Sequence, residues 1–139
     1  MYSSNGYVSA CHASGLEWSA TMTTALHHRW DNVPTQEVAP GIQRQYLTAS
    51  RMTIARLRLA KGSTVPSHSH DHEQVSCVLR GALRFAVGGQ ERIIRAGEAL
   101  EIPSWVEHGV DALEDTEVID VFSPVRQDWI DGTDTYFKR

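Results

Sequence analysis

The pattern of apolar and polar positions divides this chain into short extended runs rather than long helical stripes. From about Gln43 onward, MTIARLRLAKG alternates Ile54, Leu57 and Leu59 imperfectly with arginines, CVLRGALRFAVGGQERIIRAGEALEIP carries several β-rich runs, and EVIDVFSP is the last of them. Turn signals at Lys61-Gly62, Gly81, Gly88-Gly89, Ala96-Gly97 and Pro103 separate the runs. Short strands broken by turns every eight to twelve residues or so predict an all-β sandwich or barrel. Val87-Gly88-Gly89-Gln90 predicts a tight hairpin, because paired glycines supply the positive φ that a two-residue loop needs. One turn of helix is expected over 127–130, and the sequence shows neither a longer apolar stripe at helical period nor an internal repeat.

Composition narrows the picture. A length of 139 residues suits one compact domain with its own core and is short for two. Hydrophobic residues at 41% and charged residues at 22% are globular values. The opening MYSSNGYVSACHASGLEWSAT is rich in Ser, Gly and Ala and buries little, so 1–21 is expected to be a flexible extension and 22–139 the domain, with a barrel core at about 42–126. Met22 is a candidate start, and His27 and His28 are read as solvated. A net charge of -4 without a basic run argues against nucleic acid and for small-molecule chemistry. Cys11 and Cys77 lie far apart and give no disulfide framework. With no long apolar segment and no signal-peptide pattern, no membrane partner and a cytoplasmic location are expected.

The densest chemistry is HSHDHEQ, residues 68–74. On a strand, positions two apart share a face, so His68 and His70 can aim two imidazoles into one cavity and clamp a divalent metal. A straight strand would put His72 and Gln74 on that face too, and periodicity does not rank them. The other histidine in the strand region is His108.

The stretch from Gly62 through His68, Ser69, His70 and Gln74 to Gly81 resembles the first signature of the cupin family, with Gln74 where that signature has Glu. The stretch from Gly97 through Pro103 to His108 resembles the second, with Trp105 where Gly is usual and Ala112 where Asn is common. The resemblance implies a jelly-roll (cupin) β-sandwich or barrel. It also implies one divalent metal (Zn, Ni, Mn or Fe(II)) on His68, His70, Gln74 and His108, with His72 in the bend before the next strand. A neutral Gln in place of Glu leaves the metal more positive, favouring an anionic oxygen or enolate and disfavouring a trivalent state. That points from oxygenase chemistry towards an isomerase, lyase or cyclase.

Asp120 interrupts the apolar run Val118, Ile119, Val121, Phe122, where an aspartate is rare without a function or a partner. Alternation places Asp120 and Phe122 on one face, and Arg126 follows a Ser-Pro turn. An acid, an apolar plate and a cation could border one pocket, Asp120 moving protons and Arg126 gripping a carboxylate. The segments HSHDHEQ, GALRFAVGGQ, IPSWVEH and ALEDTEVIDVFSPVRQDW are similar to those of the small KdgF-like cupins, which open 4,5-unsaturated uronates. That resemblance covers roughly 42–130 and implies Asp120, Phe122 and Arg126 as the catalytic set.

The wider group is also similar to cupin-type aromatic polyketide cyclases, an alternative that Trp105 and Ser76-Cys77 would suit. A non-catalytic small-molecule-binding cupin is a further alternative, opposed by the lack of a helix-turn-helix after the barrel. The expected partners are a small molecule bearing carbonyl, enol or carboxylate groups and a second copy of the chain, since cupins of this size commonly pair through sheet edges. The N-terminal segment is a candidate to cross to that second copy.

Overall fold

A computed structural model describes residues 24–138; the expected extension 1–21 and the candidate start Met22 lie outside the described residues. Ten antiparallel strands form two sheets. The larger contains β1 (Gln36–Ala39), β2 (Ile42–Thr48), β3 (Thr53–Leu59), β10 (Thr116–Ser123), β5 (Glu73–Arg80) and β8 (Ala99–Ile102), side by side in that order. The smaller contains β4 (Thr64–His68), β9 (His108–Ala112), β6 (Ala82–Val87) and β7 (Gln90–Arg95). This is the all-β architecture that the strand pattern implied and the jelly roll that the cupin resemblance implied, in a single domain. No helix among the described residues is long and apolar enough to cross a membrane.

One face of each strand builds the core. On β3 the inward residues are Thr53, Ala55, Leu57 and Leu59, while Ile54 shares the outer face with Arg56 and Arg58. The alternation expected at Ile54 was therefore off by one position. Ile42, Val78, Leu83, Phe85, Ile102 and Val118 join the same apolar cluster, each contributing about 1.5–3 kcal/mol by leaving water. The Val87↔Gln90 hairpin closes through Gly88 (φ 56°) and Gly89 (φ 81°), as predicted.

Two departures from regularity position the site. Strand β4 pairs with β9 as Val65↔Val110 and His68↔His108, so three steps on β4 match two on β9. The extra residue is a bulge containing Pro66, at home here because β4 is an edge strand. It also changes the parity of the strand: Val65 and His68, an odd number of residues apart, both line the interior cavity. Gly109 accommodates this bulge, since a Cβ there would stand 3.2 Å from Ser67 N and Val65 O.

The packing also runs beyond the expected 42–126 core at both ends. β1 precedes it, and the expected helical turn, α1 (Gln127–Asp131), brings Trp129 into the core at 6% exposure. A 3-10 turn at Tyr136–Lys138 follows, with Tyr136 and Phe137 packed against the cluster.

Candidate metal centre

One interior cavity lies between the sheets, and both contribute to it. From the smaller sheet come His68 and His108, directly opposite each other across β4 and β9. From the larger come Gln74 on β5 and, on the adjacent β10, Phe122 opposite Gln74 and Asp120 opposite Ser76. His70 lies in the crossing between the sheets, because β4 ends at His68 and β5 begins at Glu73. Strand periodicity thus gives the wrong reason for the proximity of His68 and His70. A bend at Asp71 and His72 turns the chain so that both rings still converge.

One ring nitrogen from each of His68, His70 and His108 lies within 4.8 Å of the others. Their orientations are set by backbone carbonyls: Nδ1 of His68 bonds Pro66 O (2.7 Å), that of His70 bonds His72 O (3.0 Å), and that of His108 bonds Val106 O (2.8 Å). A carbonyl only accepts, so each Nδ1 carries the proton and each Nε2 keeps its lone pair. The Nε2 atoms of His70 and His108 are buried without hydrogen-bond partners. Such orphaned acceptors are costly unless something binds them, and a divalent metal fits that donor set. Burial, followed by the charge of Arg126, lowers the His70 pKa to about 3. Burial lowers that of His108 as well, so both rings remain neutral and able to ligate at ordinary pH.

Gln74 is 6% exposed and donates its Nε2–H to Ser76 Oγ at 3.0 Å. Asp120 has a buried Oδ1 without a partner. Burial raises its pKa to about 6, against smaller opposing pulls from the Ser76 hydrogen bond and from Arg126. Phe122 stands edge-on to His70 (5.8 Å) and carries the Arg126 guanidinium over its ring at 4.7 Å, separating the cation from the imidazole.

Arg126, 1% exposed, is committed within the chain. Its Nε and Nη2 donate to the two carboxylate oxygens of Asp128 at 2.9 and 2.7 Å. This clasp outweighs the lowering effect of burial and keeps the guanidinium pKa raised. His72 falls in the bend as expected and is mostly buried beside Asp128, 3.9 Å from Oδ1.

Several contributors were missed from sequence. Arg44 and Arg126 both stack on the Trp129 indole, at 4.1 and 4.3 Å. Asp134 pairs with Arg44 (3.4 Å), and Tyr136 lies parallel to the His68 ring at 4.0 Å while accepting a hydrogen bond from Trp129 Nε1. The aromatic and acidic residues of DWIDGTDTYF were the available signal. Trp105, by contrast, is 65% exposed and does not line the cavity. It adopts φ 63° where the cupin signature has Gly, the left-handed backbone that glycine reaches without strain. Cys77 sits on the outer face of β5, so of the Ser76-Cys77 pair only Ser76 faces inward.

Comparisons with known proteins agree with this fold. The Cupin domain family matches residues 55–122. The chain is 35% identical to the pectin degradation protein KdgF of Dickeya dadantii over 103 residues, 72% of this chain and 94% of that protein. Among solved structures, KdgF from Halomonas sp. superposes with a TM-score of 0.72 at 32% identity, covering 76% of this chain and 99% of that one. An RmlC-like cupin from Shewanella frigidimarina gives 0.71 at 28%, covering 78% and 99%.

Proposed function

The chain belongs to the cupin family, and on that premise we propose that it is a metal-dependent, non-redox enzyme that opens the ring of 4,5-unsaturated uronates to their keto form. The observation that carries the proposal is that His68 and His108, clustered with His70, line one cavity together with Gln74 and with Asp120, whose Oδ1 is unpartnered. The relatedness to KdgF, a pectin degradation protein, supplies the substrate class.

His68, His70 and His108 through Nε2, with Gln74 through Oε1, would hold the ion. A divalent ion there supplies Lewis acidity at a carbonyl or enol oxygen, and zinc, nickel, manganese and iron(II) all suit the set. Asp120 moves the proton, its pKa near 6 letting it exist in both states near neutrality. Phe122 forms an apolar plate. Arg126 supplies fixed positive charge rather than a two-pronged grip, because its fork is closed on Asp128. Incubating the protein with unsaturated galacturonate is expected to accelerate the loss of its ultraviolet absorbance. An unchanged spontaneous rate would remove the reading. His68→Ala should return the rate to background and release the metal, since even the partners behind metal ligands are worth about 10–100-fold.

A second reading, aromatic polyketide cyclisation, is favoured by the apolar wall that Leu57, Val65, Phe85, Val110 and Trp129 give the cavity. It no longer draws on Trp105. Adding the protein to a reconstituted aromatic polyketide synthase would then change the product pattern.

A further inference from the structure

Ser76 is fully buried on β5, two residues beyond Gln74 on the same inward face and directly across from Asp120 on β10. A hydroxyl has one proton to give and lone pairs to receive with. The acceptor for that proton is the carboxylate of Asp120, which stands directly opposite Ser76 in the β5–β10 ladder and feels its pull. What remains on Ser76 Oγ is acceptor capacity, filled by Gln74 Nε2 at 3.0 Å.

We infer that Ser76 is the positioning residue of the metal centre: by accepting the Gln74 N–H while donating to Asp120, it fixes which end of the amide faces the histidines. This rests on the reading of Gln74 as a metal ligand. Reversing the amide would set a carbonyl oxygen against a hydroxyl whose proton is already engaged, so only the orientation with Oε1 away from Ser76 satisfies all three groups. The same count accounts for a glutamine here. A glutamate at 74 has no N–H, and Ser76 would face two carboxylates with one proton. Gln74, Ser76 and Asp120 therefore form one hydrogen-bonded unit linking a ligand to the proton-moving acid.

The test is a double-mutant cycle on metal affinity, with the metal-free protein titrated by zinc in competition with a chelator. Ser76→Ala is expected to weaken zinc binding by roughly 10–100-fold, as loss of a partner behind a ligand does. In a Gln74→Glu background, where both oxygens are equivalent and there is no amide to orient, the same change should cost less than about 3-fold. Equal losses in the two backgrounds, or no loss in the native one, would overturn the role of Ser76. Full zinc binding by His68→Ala would instead overturn the metal site itself. If the alanine variant does not fold, Ser76→Cys carries the same cycle, keeping the volume while weakening the hydrogen bond.

Discussion

The histidine centre and the arginine–tryptophan stack share one cavity, yet they are assembled in opposite ways. Each imidazole is held by a backbone carbonyl only two residues away in sequence, and His68 faces His108 through strand register. The stack depends on contacts across the chain, such as Arg44 with Asp134, ninety positions apart. His70 and His108 are neutral, with Nε2 lone pairs kept for a ligand. The two arginines are charged but already matched by Asp128 and Asp134. One region is built to receive a partner, while the other has its partner within the chain. The functional centre is therefore defined by the ring acceptors it leaves unsatisfied, and the stack by charges matched within the chain, although Arg44 Nε is itself left without a hydrogen-bond partner.

Separating stability from metal binding tests this contrast most strongly. Asp128→Ala leaves the fully buried Arg126 without its counter-charge and is expected to cost about 3–5 kcal/mol of stability. Metal content at saturating ion should be unchanged in the protein that remains folded. Denaturant unfolding alongside metal analysis reads both quantities, and joint loss of fold and metal would show that the two regions are one unit.

Asp120 lies between these regimes and gives a pH signature. Its folded pKa, raised by burial to about 6, stands above the unfolded value of 3.8, so its contribution to stability is complete below pH 3.8 and lost as pH rises through 6. Metal-free Asp120→Asn should thus match the native protein below about pH 4 and exceed its stability above pH 6, by at most about 3 kcal/mol. A difference independent of pH would show that Asp120 is not buried as described. Catalysis should be lost in the same variant at every pH.

The smallest effect is expected at Trp105. A left-handed φ costs a side-chain-bearing residue about 1–2 kcal/mol, so Trp105→Gly is expected to gain about 1 kcal/mol, after allowing for the greater freedom of glycine in the unfolded chain, and to leave metal affinity unchanged. A loss of affinity would mean that this exposed indole supports the centre through the 2.8 Å bond from its backbone N–H to His70 O.

The same contrast explains how much was legible in advance. His68 and His70 stood out because their spacing is local, Gln74 and His108 only through the likeness to the cupin signatures, and Asp120 because a carboxylate in an apolar strand violates a propensity rule. The double-glycine hairpin and the turn of helix carried their own local signals. Arg44 carried none, and Trp129 and Tyr136 only the aromatic and acidic composition of DWIDGTDTYF: a lone arginine on a strand and aromatics near a chain end fit many environments, and only tertiary packing brings them together. The face of β3 was misjudged at Ile54 because its arginines and apolar residues mask which parity is inward. The bond between Gln74 and Ser76 depends on side-chain direction, which alternation suggests and only coordinates establish.

The β4 bulge has a further consequence, for inheritance. Deleting one codon between Val65 and His68 would remove the bulge yet keep both residues on one face, because they would then stand two apart in a plain strand opposite Val110 and His108. The pairing of His68 with His108 therefore survives a short deletion in this edge strand, since the imidazole faces inward with the extra residue or without it. Descendants of such a gene could carry the bulge or lose it and still keep the histidine pair, so the length of this strand by itself would be a poor record of which of them are active.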